Sequence, residues 1–243
     1  MPEKLQSSKP YRILLKLSGE RLSLPSGFGI CQAACQQAAQ SLIRLRAEKN
    51  QLAIVIGGGN IFRGINAKNL QMARTPADQI GMLATIMNGL ALQQAIQALG
   101  CPARVLSALD CPKVVESYTW RNALQYLQAG EIILFAGGTG NPYFTTDTAA
   151  AMRASEIGAD MLLKATKVDG VYNKDPLKYP DAVRYQKLSY SQMLAEKLEV
   201  MDAASIALCM NNKIPVKVFH MGLLEGEQVG NILSDPAVGT LVN

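Results

Sequence analysis

Leu52-Ala53-Ile54-Val55-Ile56-Gly57-Gly58-Gly59-Asn60-Ile61-Phe62-Arg63-Gly64 is the stretch whose reading decides the fold. Residues 52–56, all apolar and mostly branched, read as a strand buried on both faces, the kind found in a parallel sheet covered by helices. The strand runs directly into three glycines. Without Cβ atoms their N–H groups approach an anion closely, and Arg63 can close a guanidinium fork over it. A glycine triplet by itself is more often a flexible turn. The strand before this one and the arginine after it point instead to a phosphate site.

Upstream, Arg12-Ile13-Leu14-Leu15-Lys16-Leu17 reads as another strand, with Lys16 a charge inside an apolar run just before the Ser18-Gly19 turn. Such a lysine either snorkels out of the sheet's end or meets an anion. Residues 24–29 form a loop, and 31–49 have helical apolar spacing through Ala34, Ala38, Leu42 and Leu45. Strand, helix and strand in that order make the first two strands parallel. Ligands gather beyond the carboxyl ends of such strands, where both Lys16 and the glycine triplet emerge. Residues 1–10 are polar and read as a disordered tail, leaving 11–243 as a single α/β domain.

Downstream, Thr75-Pro76-Ala77-Asp78 reads as a helix start, with Thr75 as N-cap and Asp78 as its capping carboxylate. No charged residue follows between Gln79 and Ala103. The helix has an apolar stripe at Ile80, Leu83, Met87 and Leu90, joined by alanines on other faces, so it is expected to pack on the sheet on one side and on another subunit on the other. A short strand at 104–109 and a helix at 119–128 lead to 131–136, a second buried strand running into glycines, Gly137-Gly138-Thr139-Gly140. Thr146 or Asp147 then caps a helix opening on Ala149, and loop amides, hydroxyls and a helix N-terminus together make a second oxyanion site. Residues 161–164 are a further strand, followed by Thr166, Lys167, Asp169 and Tyr172, residue types that suit a nucleotide's phosphates, sugar and base. Val216-Lys217-Val218-Phe219 reads as the last inner strand and Gly239-Thr240-Leu241-Val242 as an edge strand.

Composition narrows the function classes. At 243 residues and 49% hydrophobic the chain buries a full core, and its net charge of +5 is scattered, which suits small anionic substrates rather than a nucleic-acid surface. Five cysteines without a Cys-x-x-Cys pair, and a start lacking an apolar signal core, indicate a reducing cytoplasm and no membrane anchor. The single histidine, His220, excludes His-based metal clusters and leaves no Ser/His/Asp triad. There is no Gly-x-x-x-x-Gly-Lys-Ser/Thr P-loop and no Gly-x-Gly-x-x-Gly run, so neither a P-loop kinase nor a Rossmann dehydrogenase is indicated.

Five motifs in order carry a resemblance. They are Lys16-Leu17-Ser18-Gly19; Gly57-Gly58-Gly59-Asn60-Ile61-Phe62-Arg63-Gly64; Gly81-Met82-Leu83-Ala84-Thr85-Ile86-Met87-Asn88-Gly89-Leu90; Gly138-Thr139-Gly140-Asn141-Pro142-Tyr143-Phe144-Thr145-Thr146-Asp147; and Ala165-Thr166-Lys167-Val168-Asp169-Gly170. Together they resemble the amino acid kinase family in its uridylate (UMP) kinase branch, from Tyr11 to the C-terminus. The resemblance implies a three-layer αβα sandwich with a mainly parallel central sheet, in which 11–150 mainly bind the acceptor and 150–243 mainly bind ATP. It also implies a cytoplasmic homohexamer, a trimer of dimers, that converts UMP to UDP with ATP and Mg²⁺ in pyrimidine biosynthesis. The ATP contacts it implies fall on Lys16, Leu17, Ser18, Gly19, Gly59, Arg63, Thr166, Tyr172 and Asp175. Those to UMP fall on Gly58, Asp78, Thr139, Gly140, Asn141, Pro142, Tyr143, Phe144, Thr145 and Thr146. Lys16, Arg63, Asp147 and Asp202 are the implied catalytic set, with no metal ligand assigned.

The chain departs from the pattern in places. Residues 24–29 match the family's allosteric segment only in Gly27-Phe28-Gly29, so GTP activation stays open while UTP inhibition at the UMP pocket is implied. Tyr172 stands where a phenylalanine is common. The alternatives are another amino acid kinase, which would not be expected to carry the loop at 139–147, and a non-catalytic nucleotide- or oxyanion-binding protein on the same fold.

Overall fold

The structure, a computed structural model, describes residues 10–46, 50–63, 71–198 and 200–243. The expected tail at 1–9, the end of the first helix at 47–49 and Gly64 of the glycine motif lie outside them.

Eleven strands are present among the described residues: β1 (Arg12–Leu17), β2 (Gln51–Ile56), β3 (Ala103–Ser107), β4 (Glu116–Ser117), β5 (Ile132–Ala136), β6 (Met161–Thr166), β7 (Val171–Tyr172), β8 (Arg184–Tyr185), β9 (Lys187–Leu188), β10 (Val216–His220) and β11 (Thr240–Val242). Nine form one sheet in the order β4-β3-β5-β2-β1-β6-β10-β11-β9, while β7 and β8 pair separately as an antiparallel ribbon. Every pairing in the large sheet is parallel except β10 with β11. Seven α-helices accompany them: α1 (Gln32–Arg46), α2 (Arg74–Ala98), α3 (Trp120–Gln128), α4 (Thr146–Glu156), α5 (Tyr190–Ala195), α6 (Ala203–Asn211) and α7 (Asn231–Ser234).

The strand alternation sorts the core into two layers. Ile13, Leu15, Leu52, Ile54, Ile132 and Leu134 face a cluster shared with α1, α2 and α7, whereas Leu14, Ala53, Val55, Ile133 and Phe135 face one shared with α3, α4, α5 and α6. A period of two with both faces apolar is what a parallel sheet between two helical layers requires. The result is a three-layer αβα arrangement.

Three details differ from the expected elements. β11 pairs with β10 on one side and with the two-residue β9 on the other, so it is an inner strand and not the edge. The N-cap position of α2 is Ala73, which makes no side-chain cap bond; Thr75 lies inside the first turn, and Asp78 is occupied by contacts to the loop at 139–146 instead of capping. Thr145, not Thr146 or Asp147, caps α4, its hydroxyl accepting from the N–H groups of Asp147 and Thr148. The stripe expected on α2 is not its buried face. Ile80 and Leu90 are half-buried and Leu83 and Met87 stay 49% and 52% exposed in the single chain, while Met82, Ile86, Leu92 and Ile96 form the buried face.

Candidate active site

Four parallel strands, β1, β2, β5 and β6, end at one crevice, and each delivers part of the site. Lys16 on β1 and Lys164 on β6 are register partners on neighbouring strands. Both are the polar exception in a buried run, and both reach the same acid at the start of α4. Lys164 Nζ donates to Asp147 Oδ2 at 2.5 Å, and Lys16 Nζ lies 3.0 Å from Asp147 Oδ1, close enough for an ion pair but out of line for a hydrogen bond. Burial pushes the Asp147 pKa up, but attraction to Lys16 and Lys164 outweighs it, and the carboxyl ends below its ordinary value of 3.8. Lys164 is lowered, first by burial and further by the like charge on Lys16, with Asp147 acting against both. Two ammonium groups share one carboxylate, which leaves net positive charge at the crevice floor.

The β2 end supplies the glycine loop. Arg63 bends back over it, its Nε donating to the Gly59 carbonyl at 2.9 Å and its Nη2 to Glu20 at 2.9 Å. Glu20 also pairs with Lys167 at 3.1 Å, so this acid holds two cations at the rim. Beneath the loop, Asn60 and Asn88 are fully buried and exchange side-chain amide hydrogen bonds of 3.0 and 2.7 Å. Asn88 also donates to the Gly57 carbonyl at 2.8 Å, and Asn60 to that of Gly29 at 2.8 Å. Gly19 fits only because it lacks a side chain: an added Cβ would lie 2.4 Å from both Asn60 Oδ1 and the Gly57 carbonyl.

A cleft of about 340 Å³ opens beside Gly58 and Gly59 and is lined by Asp78, Thr85, Gly138, Thr139, Asn141, Phe144, Thr145 and Thr146. Gly140, Pro142 and Tyr143 shape its outer loop without lining it. Asp78 ties that loop to α2, accepting from the Tyr143 N–H at 2.7 Å and pairing with Arg74 at 3.2 Å, and Arg74 also sits over the Tyr143 ring. Tyr143 holds a left-handed φ of 72° at this point, a conformation an L side chain adopts only when its surroundings fix it. At the inner end of the loop, Asp202, the N-cap of α6, accepts from the hydroxyls of Thr145 and Thr148 and from the Ser205 N–H at 2.8 Å.

On the other side of Asp147 lies a trough of about 570 Å³ that Asp147 and Asp202 line together with Met193, Lys197, Leu198 and Val200. The last three also line an adjoining hollow of about 410 Å³ that contains Tyr172 and Asp175. Thr166 lines neither, its hydroxyl donating to the Val168 carbonyl at 2.6 Å. The Lys16–Asp147–Lys164 cluster borders the trough through Asp147, and the glycine-loop cleft ends at Thr146, the residue before it. Leu17, Ser18 and Gly19 carry the chain from Lys16 into a short 3-10 turn, with the Ser18 hydroxyl accepting from the Glu20 N–H at 3.3 Å.

Among the described residues, no group of three or more His, Cys, Asp or Glu side chains is placed to hold a metal. Asp147, the buried acid of the crevice, is already flanked by two ammonium groups. These residues do not fit a resident cation.

Sequence reasoning missed Lys164 as a site residue, along with Glu20, Thr148 and the Asn60–Asn88 pair. Lys164 had a legible signal, since it ends an apolar strand as Lys16 does. The asparagines had none, because their partners come from distant segments.

A sequence model described as the Amino acid kinase family matches residues 11–220. A uridylate kinase of Protochlamydia amoebophila (strain UWE25) is 61% identical over 237 residues, covering 98% of this chain and 94% of that one. The crystal structure of UMP kinase from Ureaplasma parvum superposes with a TM-score of 0.91 at 37% identity, covering 97% of this chain and 99% of that one. The UMP kinase structure from Bacillus anthracis gives 0.89 at 34%, with 97% of each chain covered. A parallel sheet whose strand ends gather two lysines on one acid, and these matches along nearly its whole length, together establish that the chain belongs to the amino acid kinase family, in its uridylate kinase branch.

Proposed function

We propose that the chain transfers the γ-phosphoryl group of ATP to UMP, forming UDP. The observation that carries this reading is the Lys16–Asp147–Lys164 cluster, whose Asp147 follows Thr146 of the glycine-loop cleft and lines the trough that adjoins the hollow of Tyr172 and Asp175. UMP occupies the first, against Gly58, Asp78 and the loop at 139–146. ATP occupies the second, with Thr166, Tyr172 and Asp175 toward its nucleoside and Lys16, Leu17, Ser18, Gly19, Gly59 and Arg63 toward its phosphates. The acceptor part of the chain is then mainly 11–150 and the donor part mainly 150–243.

The chemistry needs no general base. A phosphate monoester has a second pKa of about 6, so the attacking UMP oxygen is largely deprotonated at neutral pH. What has to be overcome is repulsion, since each pair of unit charges about 4 Å apart costs about 4 kcal/mol at an effective dielectric near 20. Lys16, Lys164 and Arg63, with the loop amides, offset that charge and hold the oxygens in line. Asp147 keeps the two ammonium groups apart and aimed, and Asp202 fixes the hydroxyls of Thr145 and Thr148. Mg²⁺ enters as part of the MgATP substrate, on its phosphate oxygens.

The same reading extends to assembly and control. The half-exposed Leu83 and Met87 on α2 support a dimer contact within a homohexamer. UTP, which shares the uracil and ribose of UMP, inhibits by occupying the acceptor cleft. Free cysteines at Cys31, Cys35, Cys101, Cys111 and Cys209 support a cytoplasmic enzyme of pyrimidine nucleotide biosynthesis. No helix among the described residues is long and apolar enough to cross a membrane.

The test is nucleoside diphosphate formation with ATP and Mg²⁺ against UMP, CMP, dTMP and N-acetylglutamate. Turnover with UMP is expected. Turnover with N-acetylglutamate alone, or ATP binding without turnover on any acceptor, would overturn the reading.

A further inference from the structure

The sheet register carries a second pair of lysines on the face of the sheet opposite Lys16 and Lys164. Leu15 pairs with Leu163, Leu163 with Lys217, Lys217 with Leu241, and Leu241 with Lys187. Residues paired in this way share one face of the sheet, so Lys217 and Lys187 project from the same face on either side of Leu241, two strand spacings or about 10 Å apart. Lys16, the neighbour of Leu15 in sequence, points to the opposite face.

Lys217 is the unusual member. It follows Leu15 and Leu163 in the row and is only 5% exposed, and it donates to a backbone carbonyl, that of Asp235, at 2.8 Å. The Asp235 carboxylate is engaged elsewhere, accepting from the Ala237 N–H at 2.8 Å. An ammonium buried with one neutral acceptor has unfilled donors, and the nearby Asp235 carboxylate offsets its charge only in part. Burial accordingly lowers its pKa, with Asp235 acting against that shift.

This ammonium borders a cavity of about 490 Å³ between the sheet and the segment carrying Leu233 and Pro236. Met161, Pro215 and Leu241 extend its apolar wall, Gln186, Ser234 and Asn243 add neutral polar groups, Lys187 stands at its mouth, and no Asp or Glu side chain lines it among the described residues. A hollow with an apolar wall, cations at one side and no acidic side chain selects an anion with a hydrocarbon body. We propose that this cavity binds a small aliphatic carboxylate, its head group between Lys217 and Lys187 and its chain against Met161, Leu233 and Pro236.

Isothermal titration of the complete chain with octanoate, and with octanol as the neutral analogue, tests this. Octanoate is expected to bind saturably and octanol at least about 10-fold more weakly, the difference that charge-assisted hydrogen bonds make. Lys217→Met should weaken octanoate binding by about 10-fold or more and Lys187→Met by a few-fold, while both keep the UMP phosphorylation rate, which reports an intact fold. Should Lys217→Met not fold, Lys217→Arg keeps the charge and is expected to retain binding. No saturable octanoate binding, equal affinity for octanol, or unchanged affinity in Lys217→Met would overturn the proposal.

Discussion

Lys16 and Lys164 stand opposite each other on adjacent parallel strands, and their ammonium groups close on the two oxygens of one carboxylate, that of Asp147. Like charges are brought this close only where an acid holds them or an anion is to join them. Their separate contributions are accessible by mutation. Lys16→Met should lower kcat by about 100-fold, the scale for removing a preorganised electrostatic contact, while costing about 1–2 kcal/mol of stability because it also relieves repulsion of Lys164. Arg63→Ala should reduce turnover similarly and change stability by no more than about 0.5 kcal/mol, since its side chain is 48% exposed. Initial rates and urea unfolding on the same preparations separate the two effects. Near-normal turnover in Lys16→Met would remove it from the catalytic set.

The Asp147 carboxyl sets a pH dependence of definite sign. Its folded pKa lies below 3.8, so as pH falls the unfolded chain takes up the proton first. The stability it contributes is complete above about pH 5 and is lost as pH falls through the folded pKa. Lys164 works in the other range: its lowered folded pKa means that stability attributable to it rises with pH toward the ordinary 10.5. Asp147→Asn should cost about 3 kcal/mol at pH 7, because two ammonium groups are left facing each other, and should flatten the acid limb of a urea-midpoint profile taken from pH 7 to pH 3. An unchanged acid limb in the variant would show that other carboxyls govern it.

Asp78 acts on the acceptor loop through the Tyr143 N–H. Asp78→Ala releases Tyr143 from its left-handed conformation, so the KM for UMP should rise by about 10-fold or more, with kcat changed by less. Rates measured over a range of UMP at saturating ATP give both constants. A fall in kcat at constant KM would assign Asp78 to the reacting atoms instead.

Gly19 is confined by Asn60, Asn88 and the Gly57 carbonyl. Gly19→Ala should destabilise by about 1–3 kcal/mol through overpacking, and Asn88→Ala by a similar amount because it orphans the buried Asn60 amide. Denaturant unfolding should also give less than additive losses in the double variant, since both changes strike one hydrogen-bonded unit. Additivity would mean that the two sites are independent.

The sequence made much of this legible, and the limits have physical causes. Buried runs ending in glycine revealed β2, β5 and the crevice, because both the apolar period and the missing Cβ atoms are local signals. Thr75 misled as a cap because the chain enters α2 two residues earlier, at Ala73, which has no capping side chain to mark it. The edge reading of the last strand failed because β9 is too short, two residues, to show any pattern. The role of Lys164 and the Asn60–Asn88 pair depend on register and long-range packing, which no local window contains.

One turn of α2 grips both glycine loops. The Thr85 hydroxyl accepts from the Gly137 N–H at 2.7 Å, and Asn88, three residues on, donates to the Gly57 carbonyl at 2.8 Å. All of these contacts are buried, so moving either loop along the helix means breaking a bond that water does not replace. The two glycine loops and α2 thus behave as a single rigid jaw.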